Sequence, residues 1–198
     1  MLPIFRAFQG LIRAPGQRQR CFQALAALLL AVGGMVVAET LSEGSAKAAF
    51  VFNFAKFTEW PGEAFGTGTA TVALCLLRGV DSYEVNLASF SGKSVQGKPF
   101  SIRPMTRPEG LRQCQMVFLD ELDERRMGEV LRGSHGLPLL TVSDIEGFAE
   151  AGGMIGLVHV DNRIQFEVNP EAIQASGLKM SAQLLQLAKI VKSARGKS

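Results

Sequence analysis

Histidine, tyrosine and tryptophan are nearly missing from this chain: of 198 residues, two are His, one is Tyr and one is Trp. So few imidazoles argue against a His-based metal centre, and the cysteines do not repair the shortage. The three cysteines, Cys21, Cys75 and Cys114, form no compact zinc pattern with His135 and His159. A G-x-S-x-G elbow for an activated serine is also missing. Ser134 and His135 are adjacent, and chain neighbours seldom point at one another, so a glycine-flanked turn explains them better than a catalytic pair. His159 lies in an apolar stretch with nothing to make it a base. Gly92 to Pro99 approaches a phosphate loop but has Pro99 where magnesium needs a hydroxyl, and Gly66-Thr67-Gly68 lacks the third glycine of a dinucleotide fingerprint. We therefore expect no catalytic residues, no cofactor and no metal, and a chain more suited to binding than to turnover.

Acidic residues are absent from residues 1 to 38, which hold Arg6, Arg13, Arg18 and Arg20. The net charge of +3 belongs to this stretch, because without it the basic residues fall just below the 18 acidic ones. No nucleic-acid partner is expected on that balance. The stretch reads as an export signal: basic through Arg20, apolar from Phe22 to Val37, then Val36-Val37-Ala38 before Glu39. Cleavage between Ala38 and Glu39 would leave residues 39–198 as a single periplasmic domain. The competing reading is an uncleaved anchor, but Gln23, Gly33 and Gly34 interrupt the run, which is shorter than the ~20 residues a span requires. Export into an oxidising compartment leaves Cys75 and Cys114, for which a disulfide is the economical expectation over two buried thiols. Closing that loop stabilises by about 4 kcal/mol in the chain-entropy model.

Apolar residues supply the rest of the plan. Ala46, Ala49, Phe50, Asn53, Phe54, Phe57 and Trp60 recur at three- and four-residue steps before Pro61, which predicts a helix over residues 45–60. Val72 to Leu77, Met116 to Leu119 and Leu137 to Val142 are short apolar runs without alternation, as in strands covered on both faces. Phe100 to Arg103 adds a strand, and Tyr83 to Phe90 and Glu121 to Arg132 read as helices, the second capped by Asp120. Met154 to Val160 and Arg163 to Val168 flank Asp161-Asn162, a hairpin signal. Asn169-Pro170-Glu171 starts a helix that Gly177 interrupts, and Met180 to Val191 predicts a last one, its carbonyl end matched by the basic tail from Lys189. The expected fold is α/β: a layered sandwich with a mostly parallel central sheet, an antiparallel edge hairpin and flanking helices.

One crevice suggests itself. Asp120 and Asp144 end apolar strands, where ligands of open α/β sheets bind, and Gly147 with Gly152-Gly153 would open space beside Asp144. The competing assignment for each Asp is a helix cap.

The string Lys47-Ala-Ala-Phe-Val-Phe-Asn53-Phe-Ala-Lys56-Phe57-Thr-Glu59-Trp60-Pro61 resembles the opening signature of the YfiR-like family of bacterial periplasmic proteins. Three further stretches agree in order: the strand of Cys75; Leu111-Arg-Gln-Cys114-Gln-Met-Val-Phe; and Leu139-Leu-Thr-Val-Ser-Asp144 on to Gly152-Gly153. Ile164 to Asn169, Gly177-Leu178 and Ser181 to Ala188 complete it. The resemblance implies a dimeric periplasmic α/β domain that binds the periplasmic part of an inner-membrane diguanylate cyclase and holds it inactive. Lower cyclic-di-GMP and less biofilm would follow. Two departures limit the transfer: Gln115 stands where many relatives have His, and the cysteines of a second bridge are missing. The alternative is a periplasmic small-ligand-binding protein working with a transporter or receptor.

Overall fold

Val72–Leu77 and Met116–Leu119 are buried at every position, and the computed structural model shows why their apolar runs do not alternate. It describes residues 42–66, 71–77 and 86–194. The expected cleavage point at Ala38 and Glu39, and Tyr83 to Val85 of one expected helix, lie outside those residues. Val72, Leu74, Leu76, Met116 and Phe118 feed one apolar cluster, while Cys75, Leu77, Val117 and Leu119 feed a second. Side chains of a strand alternate between faces, so both faces of these strands are covered. Helix α1, Glu43–Lys56, packs into the first cluster through Ala48, Val51, Phe52 and Ala55. Helix α2, Glu124–Ser134, packs into the second through Val130.

In chain order the strands are β1 (Thr58–Glu59), β2 (Val72–Leu77), β3 (Ser94–Val95), β4 (Lys98–Met105), β5 (Met116–Leu119), β6 (Leu140–Ser143), β7 (Ile155–Val160), β8 (Arg163–Val168), β9 (Lys179–Met180) and β10 (Lys189–Ile190). Helices α3 (Pro170–Ala175) and α4 (Ala182–Leu185) complete the framework. The large sheet runs β10-β8-β7-β6-β5-β2-β4-β3, and β1 pairs with β9 apart from it. Strands β4, β2, β5, β6 and β7 are mutually parallel neighbours. Their order, second-first-third-fourth-fifth, is a doubly wound arrangement with its switch point between β2 and β5. The fold is thus mixed α/β with a mostly parallel sheet, and the antiparallel β7–β8 hairpin turns through Asp161 (φ 48°) and Asn162 (φ 59°), the left-handed pair of a type I′ turn. All described residues fall within one compact unit, Leu41–Ser198.

Several expectations need correction. The buried stripe of α1 agrees with the expected one only in part: Phe54 is buried as expected, but Ala48, Val51, Phe52 and Ala55 are buried as well and Asn53 is exposed. The helix stops at Lys56 because Thr58 and Glu59 leave it to pair with β9. The strand expected from Leu137 begins at Leu140, after Pro138, which cannot donate to a ladder. Residues 86–88 are helical, but the helix expected through Phe90 gives way to a turn at Ser89. The last helix does not run from Met180 to Val191: α4 is a single turn capped by the Ser181 hydroxyl, and Lys189–Ile190 then lies parallel to β8. An open sheet edge offers backbone partners, and this tertiary context overrides the helical propensity of a stretch rich in Leu, Ala and Gln. Lys189 accordingly pairs with Glu167 at 2.7 Å, not with a helix end.

Candidate functional site

The carboxyl ends of β5 and β6 carry two acidic residues in different settings. Asp120, 3% exposed, follows β5 and accepts a hydrogen bond from the amide of Leu122 at 3.0 Å, capping the short turn that leads into α2. Burial pushes its carboxyl above the ordinary value near 3.8 and the Asp144 charge adds to this, while the amides of Leu122 and Asp123 pull the other way. Asp144, its side chain 6% exposed, accepts from Lys47 Nζ at 2.8 Å. Lys47, buried on α1, thus carries its charged head to the end of β6. Its ammonium also meets Glu43 at 2.9 Å, and Glu43 meets His159 Nε2 on β7 at 3.2 Å. Lys47 holds the Glu43 carboxyl below its usual range, first by hydrogen bonding and then by charge, with a smaller contribution from His159.

Asp144 opens on a crevice of about 530 Å³ lined also by Gly147, Glu150, His159 and Glu167 over a floor of Leu157 and Val158. Lys189 closes on Glu167, which raises the lysine pKa. The crevice is therefore acidic, with Lys47 bound to one of its carboxylates and Lys189 to another.

The four expected crevice residues do not share one cavity. Gly152 (φ +107°) lines a separate cleft of about 730 Å³ between α2 and α3, together with Met127, Leu131, Arg132 and Glu171. Gly153 is buried, and a Cβ there would overlap the Phe148 ring, 2.6 Å from Cζ. Asp120 is interior, and only Asp144 lines the acidic crevice. Ser134 is buried and donates to the carbonyl of Leu131 at 3.2 Å, while His135 is exposed. Among the described residues no group of three or more His, Cys, Asp or Glu is placed to hold a metal ion, and no helix is long and apolar enough to cross a membrane.

Cys75 and Cys114 form the disulfide, with Cα atoms 5.9 Å apart. Beside it Gln115, buried at 6% exposure, acts as a hub. Its side-chain oxygen accepts from Ala73 N at 2.9 Å, its amide donates to the Ala64 carbonyl at 2.7 Å, and its own carbonyl accepts from Trp60 Nε1 at 3.0 Å. Sequence reasoning gave no role to Lys47 or Glu167, and it noted Gln115 only as a departure from relatives. A lysine flanked by alanines on a buried helix face, and a glutamine directly before an all-apolar strand, were the available signals.

A family model described as YfiR/HmsC-like matches residues 44–189. The chain belongs to the YfiR/HmsC-like family. Solved structures give looser likenesses. A domain in complex with L-Trp from Streptococcus pneumoniae is 9% identical, over 65% of this chain and 59% of that one, at a TM-score of 0.47. A conserved domain protein from Vibrio cholerae is 8% identical, over 76% and 60%, at 0.48. A ligand-free, open substrate-binding protein with adhesive properties from Clostridium difficile is 12% identical, over 62% and 55%, at 0.42. The match thus spans 60% or less of the length of each of these chains.

The YfiR/HmsC-like match covers stretches that the fold ties together. Lys47, from the opening stretch, bonds Asp144 from the third. Trp60 bonds Gln115 of the second, and Cys75 is bridged to Cys114. Asn169, fully buried, caps α3 by accepting from Ala172 N at 3.2 Å and donates to the Ala149 carbonyl at 2.9 Å. These polar contacts fix which strand end meets which helix, a specificity that apolar packing alone leaves loose.

Proposed function

We propose that residues 39–198 form a periplasmic regulatory binding protein, not an enzyme, that represses an inner-membrane diguanylate cyclase and so lowers cyclic-di-GMP. Residues 1–38 serve as its cleaved export signal, and it works as a homodimer. The observation that carries this reading is the YfiR/HmsC-like match over residues 44–189. The bridged Cys75 and Cys114 accord with export to an oxidising compartment. Repression needs no chemistry from this chain. A protein that prefers the inactive conformation of the cyclase shifts that equilibrium by its difference in affinity for the two states, and a hundredfold preference corresponds to about 2.7 kcal/mol.

The test is a pull-down of tagged, exported protein from its own membranes with cyclic-di-GMP measured in a deletion strain. The proposal requires a membrane cyclase in the eluate and raised cyclic-di-GMP on deletion; neither appearing refutes it. A second reading, a small-ligand-binding protein working with a transporter or receptor, is favoured by the solvent-open Asp144 crevice. Under it, a ligand screen by thermal shift gives hits that Asp144→Asn abolishes, and cyclic-di-GMP stays level on deletion.

A further inference from the structure

The cleft between α2 and α3 shares no lining residue with the Asp144 crevice. Its volume of about 730 Å³ falls within the roughly 300–1,000 Å³ of small-molecule sites. Met127, Leu131, Ala172 and Ala175 give it an apolar lining. Arg132 is in the last turn of α2, yet its guanidinium folds back one turn: Nη1 lies 3.3 Å from where a Cβ of Gly128 would stand. Gly128 lines the same cleft, so its missing side chain makes the space in which the cation rests. Arg132 and His135, also on the lining, make no side-chain hydrogen bond or ion pair among the described residues. Glu171 shares the cleft without pairing with Arg132, and its place in the first turn of α3 already complements the free amides there. An unpaired guanidinium fork over an apolar floor is complementary to a carboxylate carrying an apolar chain.

We propose that this cleft binds a small amphipathic carboxylate, its apolar chain along Met127 and Leu131 and its carboxylate on Arg132. The site goes beyond the regulatory reading and stands whether or not a cyclase is the partner. The probe is decanoate, with decanol as the uncharged counterpart, titrated calorimetrically into the exported protein. Wild type should bind decanoate saturably at one site. Arg132→Gln should weaken decanoate at least tenfold and leave decanol unchanged, and Ala175→Trp, which fills the cleft, should abolish both. Methionine-methyl NMR gives a readout that needs no variant: decanoate should shift Met127 and leave the buried Met116 in place. No saturable binding to wild type, equal decanoate affinity in Arg132→Gln, or shifts that spare Met127 would each overturn the proposal.

Discussion

Replacing Lys47 by Met tests whether the link between α1 and the end of β6 stabilises the fold or only decorates it. The methionine keeps the apolar stem and removes the ammonium, leaving Asp144 with a side chain only 6% exposed and without its 2.8 Å cation. Removing one member of a buried pair costs about 3–5 kcal/mol. The Asp144 crevice is open to water, so we expect the lower end, about 3 kcal/mol. With a urea slope of about 2 kcal/mol/M, the unfolding midpoint should fall by about 1.5 M at unchanged slope. Asp144→Asn leaves the lysine paired with Glu43, 2.9 Å away, so the loss should be smaller. The double variant removes both members of the pair, and its cost should fall short of the summed single costs by at least about 1 kcal/mol. A Lys47→Met loss below about 0.5 kcal/mol, or additive single changes, would show that the pair behaves like an exposed one and refute the reasoning.

The interior makes three further predictions. Gly153→Ala drives a methyl into the fully buried Phe148 ring and should cost about 1–3 kcal/mol by denaturant titration, whereas Gly62→Ala, with open space around it, should be near neutral. Asp120 has a raised folded pKa, so its contribution is full below the ordinary value near 3.8 and is lost as pH rises through the folded pKa. Asp120→Asn retains an acceptor for Leu122 N, and its stability relative to wild type should therefore rise from acid to neutral pH; a constant difference would contradict the shift. Replacing Cys75 and Cys114 together by Ser opens a loop of sequence separation 39 and should cost about 4 kcal/mol, read against wild type with and without reductant.

The central strands were legible because burial on both faces writes itself as an unbroken apolar run: Val72–Leu77 and Met116–Leu119 lie where those runs place them. The β7–β8 turn was legible because Asp161 and Asn162 tolerate positive φ, and the start of α3 because Asn169 and Pro170 are cap and first-turn residues. What escaped depends on distant partners. β1, β9 and β10 are two residues each, too short for any periodicity, and exist because another strand edge is present to pair with. Leu184, Leu187, Ala188 and Val191 have helical spacing, yet Leu187 is 76% exposed and the chain prefers the edge of β8. The site was half legible: an Asp at a strand end could be located, but not whether a lysine 97 residues away would bond it. Gly152 and Gly153 are adjacent in sequence and serve opposite purposes, one lining a cleft and the other admitting a ring, because their backbones turn differently.

The position of the disulfide bears on what a reducing stimulus could do. Cys75 and Cys114 belong to the second apolar cluster, under α2, whereas Lys47–Asp144 and Trp60–Gln115 hold α1 and the segment after it through contacts that contain no sulfur. In the loop-entropy account the bridge acts on the unfolded chain, so its reduction lowers stability by about 4 kcal/mol while leaving native contacts as they are. Domains of this size carry about 5–15 kcal/mol, so the reduced protein remains mostly folded. A repressor that works by binding would then keep its surface and its partner after reduction, and release would require a second destabilising input such as loss of the Lys47 link. The Cys75→Ser, Cys114→Ser protein should accordingly still recover the proposed cyclase partner in the pull-down, and adding Lys47→Met should lower recovery. Loss of the partner from the cysteine variant while its circular dichroism and melting cooperativity persist would mean that the bridge shapes the binding surface itself.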